Sequence, residues 1–239
     1  MGQKYGKHLY KSNPISSVKI KVPLIYLAKK ESSNFENVYT TKTPEILKAL
    51  ASDLTWNKSR EEKCVYLTFD DGPAAGVTDK ILDILKEYNA KATFFCVGEM
   101  VGKNPELLQR VKAEGHALGN HTYKHESGWK TENAAYFRSY LACHDLVDSK
   151  LFRPPYGRIS KSQAKLIKKR SEIIMWDVLP GDFDQRVSAA TCVKRIKANT
   201  KNGSIIVLHD NPKFKEKVLE VLPVALEWLT SEGYELKGL

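Results

Sequence analysis

No acidic residue occurs before Glu31, and no run in the 239 residues approaches the about 18 apolar residues of a membrane-spanning helix. The first 30 residues instead hold seven lysines, so +7 of the net +10 sits there and the rest of the chain carries only +3. The basicity therefore belongs to an arm, residues 1–42, and not to the domain that follows. Such an arm suits peripheral contact with an anionic envelope polymer or a membrane surface, the plain alternative being a solvated terminus. No nucleic-acid motif accompanies it, so nucleic acid is not expected as a partner. Cysteine is scarce too. Cys64, Cys96, Cys143 and Cys192 form no CxxC, which speaks against a thiolate metal site or a disulfide framework and fits a reducing compartment. The apolar run Val22–Ala28 is short, and Lys29 and Lys30 follow it without a small-x-small site. It is not read as a signal peptide, so a cytoplasmic or peripheral protein is the expectation. Repeats and low-complexity tracts are missing.

What remains is ordinary for a folded domain, with 42% hydrophobic and 28% charged residues. After a short helix from Thr43-Pro44-Glu45 to Leu50, strand-like and helix-like segments alternate. Strands are expected at 64–69, 92–97, 117–119, 151–152, 173–178, 204–208 and 234–236. Helices are expected at 78–88, 105–114, 132–147, 160–169, 188–200 and 214–232. Gly115 and Gly233 close two of the helices, and Ser160-x-x-Gln163 is a capping box. This alternation implies a parallel sheet with helical crossovers. The candidate polar residues fall just after strands, on the face where such folds build their sites.

The sharpest signal is Cys64–Pro73, CVYLTFDDGP. β-Branched and aromatic residues run into Asp70, Asp71 and a Gly-Pro breaker, so two carboxylates stand where a strand leaves the sheet. Adjacent like charges are costly unless a cation or proton is shared. An Asx turn or helix cap is the bland alternative. His121-Thr-Tyr-Lys-His125 places two imidazoles four apart, which on one helical turn would face one ion. Two His and one acid from Asp70 or Asp71, with open positions, suit catalytic zinc or a similar divalent metal. Arg153-Pro-Pro-Tyr-Gly157 is a rigid loop whose Arg153 can fork onto a carboxylate. Leu208-His209-Asp210 ends a strand and offers His209 as a general acid or base. Asp182, in Pro180-Gly-Asp-Phe183, can orient either His209 or Arg153.

Together with Trp176, these motifs resemble the polysaccharide deacetylase family, also called the NodB homology domain or carbohydrate esterase family 4, over about residues 63–237. The resemblance implies a distorted (β/α) barrel of about seven parallel strands, with 43–239 as the catalytic domain. It implies Asp70 as catalytic base, and Asp71, His121 and His125 as ligands of one divalent ion, zinc first, with cobalt and nickel as alternatives. Arg153 would orient the base. The Tyr156 backbone N–H would hold the oxyanion, Asp182 would tune His209 as general acid, and Leu208 would wall the acetyl pocket. Phe183 stands where many members have Trp, which bears on sugar contact and not on the chemistry. The expected reaction is removal of N-acetyl groups from amino sugars in a glycan by a monomeric enzyme. Hydrolysis of a non-sugar amide, imide or O-acetyl ester, and glycan binding without turnover, are the alternatives.

Overall fold

The structure is a computed structural model that describes residues 39–239. In chain order the elements are α1 (Glu45–Leu50), β1 (Cys64–Asp70), α2 (Thr78–Glu87), β2 (Ala92–Cys96), α3 (Gly98–Lys103), α4 (Pro105–Ala113), β3 (Ala117–Asn120), α5 (Asn133–Val147), β4 (Leu151–Phe152), α6 (Lys161–Ile167), β5 (Glu172–Ile173), α7 (Ala189–Asn199), β6 (Ile205–His209), α8 (Lys215–Ser231) and β7 (Glu235–Leu236). The strands pair in parallel in the order β5-β4-β3-β2-β1-β6, and β7 joins the start of β1 at Cys64 and Val65.

The sheet curls because the chain beyond β5 returns to its other edge. The Asp177 and Val178 N–H groups donate to the Ile205 carbonyl, and Val207 N–H donates to the Val178 carbonyl. These few bonds bring the two edges together, so the barrel is distorted and not evenly laddered.

Period-two alternation explains the two cores. Val65, Leu67 and Phe69 of β1 and Ile206 and Leu208 of β6 face outward, toward the buried stripe Val218, Val221, Leu222, Ala225, Leu226 and Leu229 of α8. Ile205 and Val207 of β6 and Phe95 of β2 face inward with Tyr136, Phe152 and Met175. Each such fully buried side chain contributes about 1.5–3 kcal/mol. Both faces are covered, which is why these strands read as nearly continuous apolar runs.

Two expectations change. Residues 173–178 form no continuous strand; only Glu172–Ile173 is regular. The reason is Arg153, whose Nε–H and Nη2–H donate to the Ile174 and Met175 carbonyls and take them out of any ladder. Helix α3 was not anticipated, since its six residues are too short for a clear stripe. Of the arm drawn at 1–42, residues 1–38 lie outside the described residues. Residues 39–42 belong to the packed structure: Leu179 N–H donates to the Thr41 carbonyl, and Lys42 bridges Val178. Among the described residues no helix is long and apolar enough to cross a membrane.

Candidate active site

Strand register brings the singled-out residues to one level. Asp70, the last residue of β1, lies opposite His209, the last of β6. Cys96 lies opposite Asn120, and Asn120 opposite Phe152, so His121 and Arg153 each begin the first step beyond their strands. All emerge at the carboxyl end of the sheet.

The two adjacent aspartates have different partners. Asp70 is buried, and its Oδ1 accepts from Arg153 Nη1 at 2.7 Å. That same nitrogen also reaches Thr68 Oγ1 at 2.7 Å. The remaining Arg153 nitrogens go to backbone carbonyls, so the guanidinium grips Asp70 through one nitrogen and not as a bidentate fork. Arg153 is fully buried and stacks on Phe95 at 4.1 Å, so its charge has been desolvated to serve this one carboxylate. Burial pushes its pKa down, with Asp70 pulling the other way.

Asp71 faces the histidines. Its Oδ1 lies 3.1 Å from His125 Nε2 and 3.7 Å from His121 Nε2, and one ligand atom from each of the three residues lies within 4.8 Å of the others. Burial would raise the Asp71 pKa, but the His125 contact and the nearby imidazoles hold it well below the usual carboxylate range. His121 Nδ1 sits 2.7 Å from the Arg153 carbonyl. A carbonyl only accepts, so Nδ1 carries the proton and Nε2 is left with a lone pair toward Asp71. Burial pushes the His121 pKa down to about 4, which keeps the ring neutral. A neutral imidazole with a free Nε2, a second imidazole and an ionised carboxylate fit a borderline-soft divalent cation.

The histidine pair is not on a helix. Residues 121–125 form a loop in which Thr122 (φ 62°) and His125 (φ 58°) are left-handed. The i, i+4 spacing succeeds here through a tight loop, and the rings end 5.0 Å apart. Of the six non-glycine residues with positive φ among the described residues, four are Asp71, Thr122, His125 and Tyr156. Strain of this kind costs about 1–3 kcal/mol per residue and collects where geometry is over-determined.

His209 Nδ1 lies 2.9 Å from Asp182 Oδ1, and His209 N–H donates to Asp182 Oδ2 at 2.8 Å. Asp182 therefore serves His209, not Arg153. Burial alone would lower the His209 pKa, but Asp182, with Asp71 and Asp70 beyond it, raises it to about 9. Phe183 packs edge-on against His209, with ring centres 5.2 Å apart. Tyr156 is 53% exposed, and its ring lies 4.6 Å from His125. Gly157 and Arg158 donate their N–H groups to the Pro154 and Pro155 carbonyls, and Tyr156 between the two prolines and Gly157 is left-handed at φ 59°. Leu208 is wholly buried in the outer core.

Three supports had no role assigned from sequence, although Asp210 stands there in the Leu208-His209-Asp210 motif on the site face. Asn211 Nδ2 donates to Asp71 Oδ2 at 3.0 Å. Asp210 accepts from Gly72 N–H at 2.8 Å and Thr78 Oγ1 at 2.7 Å, which ties the end of β6 to the Asp71 turn. Burial pushes its pKa up to about 7. The signal was adjacency to His209. The third is Trp129, 43% exposed, beside Arg158, whose guanidinium also lies 5.7 Å from the Tyr156 ring.

Known proteins can be set beside this geometry. The polysaccharide deacetylase family model matches residues 57–171. A peptidoglycan-N-acetylglucosamine deacetylase of Bacillus cereus is 39% identical over 155 residues, covering 62% of this chain and 56% of its own. A second B. cereus protein of the same name is 33% identical over 200 residues, 76% of this chain and 88% of its own. The chain thus spans little more than half of the first relative and most of the second. The crystal structure of the Bc1960 peptidoglycan N-acetylglucosamine deacetylase superposes with a TM-score of 0.75 at 32% identity, over 78% of this chain and 91% of that one.

Proposed function

Because the chain belongs to the polysaccharide deacetylase family, we propose that it is a metal-dependent hydrolase that removes N-acetyl groups from amino sugars in a glycan and releases acetate. Its relatives' names point to N-acetylglucosamine residues of peptidoglycan as the substrate class. The observation that carries this reading is the division between the two aspartates: Asp70 is held by Arg153, and Asp71 faces two imidazoles.

Asp71, His121 and His125 would hold the divalent ion, with zinc as the first expectation from the mixed N/O donor set. When bound, that ion supplies a Lewis acid for the acetamide carbonyl and acidifies water. The chain's own residues do the rest. Arg153 occupies Asp70 Oδ1, so Oδ2, which lies on the His121 side at 4.0 Å from Nε2, is the oxygen that takes the proton of the attacking water. The Tyr156 N–H donates to the oxyanion as the carbonyl carbon becomes tetrahedral. His209 is held by Asp182 at Nδ1, so Nε2 gives the proton to the departing amine. The exposed rings of Tyr156 and Trp129 offer faces on which sugar rings can lie.

Acetate release across defined N-acetylated oligosaccharides, with and without added divalent metal, tests the proposal. Turnover of N-acetylglucosamine oligomers that requires the metal is the expected result. Turnover confined to O-acetyl esters, or metal binding with no acetate released on any substrate, would overturn it.

A further inference from the structure

We infer that Tyr39, which precedes the residues 57–171 matched by the family model, is a positioning residue for His209. Its ring packs on Phe183 with centroids 4.8 Å apart, and Phe183 in turn packs edge-on against His209. Its hydroxyl accepts from Arg195 Nη1 at 3.1 Å, and the same nitrogen donates to the Pro180 carbonyl at 2.9 Å. Tyr39 therefore covers the loop 180–184 at Phe183 and Gly181, and through Arg195 it is tied to Pro180. That loop carries Asp182, which takes both the Nδ1 contact and the backbone N–H of His209.

Gly181 shows how close the clamp lies. A Cβ there would stand 2.1 Å from the Tyr39 hydroxyl and 2.9 Å from Arg195 Nη1, and its φ is +92°. Only glycine lets the tyrosine lie directly on the loop backbone. Asp182 is fully buried and receives its hydrogen bonds from His209, so its position depends on the loop it sits in. Holding a proton donor to within fractions of an ångström is worth far more in rate than its contact area suggests. The charged groups that face His209 are Asp182 from this loop and Asp70 and Asp71 from the end of β1; Phe183 and Phe214 supply its apolar walls. Of these, Phe183 touches Tyr39 directly, and Asp182 sits between Phe183 and the Gly181 that Tyr39 covers.

The test uses the full chain carrying Tyr39→Leu, which keeps apolar bulk, Tyr39→Phe, which keeps the ring, and Tyr39→Ala. The His209 pKa is followed by NMR titration of the imidazole, a readout that needs no substrate and stands whether or not the deacetylase reading does. In Tyr39→Leu and Tyr39→Ala it should fall by about one unit as the Asp182 contact loosens. On a substrate that is turned over, kcat should fall about ten-fold with KM within about two-fold. Tyr39→Phe should lie closer to the parent in both measurements. A folded Tyr39→Leu protein with parental His209 titration and parental kcat overturns the inference, even if Tyr39→Ala fails to fold. So does a loss of kcat with no movement of the His209 titration.

Discussion

Asp70 and Asp71 are neighbours in sequence with identical chemistry, and their environments set them to different work. Asp70→Asn removes the base but leaves the Asp71, His121 and His125 atoms in place. Metal content should stay near that of the parent while kcat drops by about 10²–10⁴, the usual worth of a general base. Asp71→Asn should lose metal first. Elemental analysis beside turnover separates the two, and equal metal loss in both would sink the division of labour. His209 gives a second test at this scale. Its pKa is raised to about 9, so it is protonated below that pH and loses its proton above it. The kcat/KM profile should be bell-shaped, with an acidic limb from activation of the attacking water and a basic limb at or below about 9 from His209. A divalent ion on Asp71 offsets one of the anions that hold the proton, so the limb lies lower in the loaded protein. Asp182→Asn should move the basic limb further down and leave the acidic limb where it is; a fixed basic limb would show that Asp182 does not tune His209.

At the scale of elements, the site depends on how the end of β6 is fastened to the turn after β1. Gly72 is the tight point: a Cβ there would lie 1.9 Å from Asp210 Oδ2, and its N–H is bonded to the same carboxylate. Gly72→Ala must displace Asp210 from both Gly72 and Thr78. Overpacking of this kind costs about 1–3 kcal/mol, read as a lower urea midpoint. Turnover should fall more than stability does, because Asp71 is the next residue back. A variant with parental stability and parental kcat would show that the turn is free to relax. The glycine was legible in the sequence only as a breaker, since its crowding comes from a side chain 138 positions away.

Across the whole molecule the charge is uneven, and the first 30 residues hold seven lysines with no acid. We propose that this segment holds the protein near anionic surfaces. A chain lacking residues 2–38 should keep its turnover on a small soluble oligosaccharide and lose salt-sensitive binding to anionic vesicles or wall fragments. Equal binding by both chains at low salt would reduce the segment to a solvated terminus. The cut belongs before Tyr39, not after Lys42, because residues 39–42 pack on the 178–184 segment.

The sequence by itself determined the alternation of strands and helices apart from α3, the parallel sheet, and most residues that reach the site face, because each is written in local periodicity or in a short rigid motif. Thr68–Pro73, Arg153–Gly157 and Leu208–Asp210 could be read without a structure, since a strand followed by a breaker fixes where the next side chain emerges. Tertiary structure alone decided which groups meet. Nothing local says that Arg153 grips Asp70 through one nitrogen and spends the others on Ile174 and Met175, thereby ending the expected strand at Ile173. Nothing local says that His121 and His125 converge through a left-handed loop, that Asp182 chooses His209, or that Tyr39 lies on Gly181. Those outcomes depend on register between strands far apart in the chain and on buried charges that accept only one arrangement of partners, and neither leaves a mark in any short window of residues.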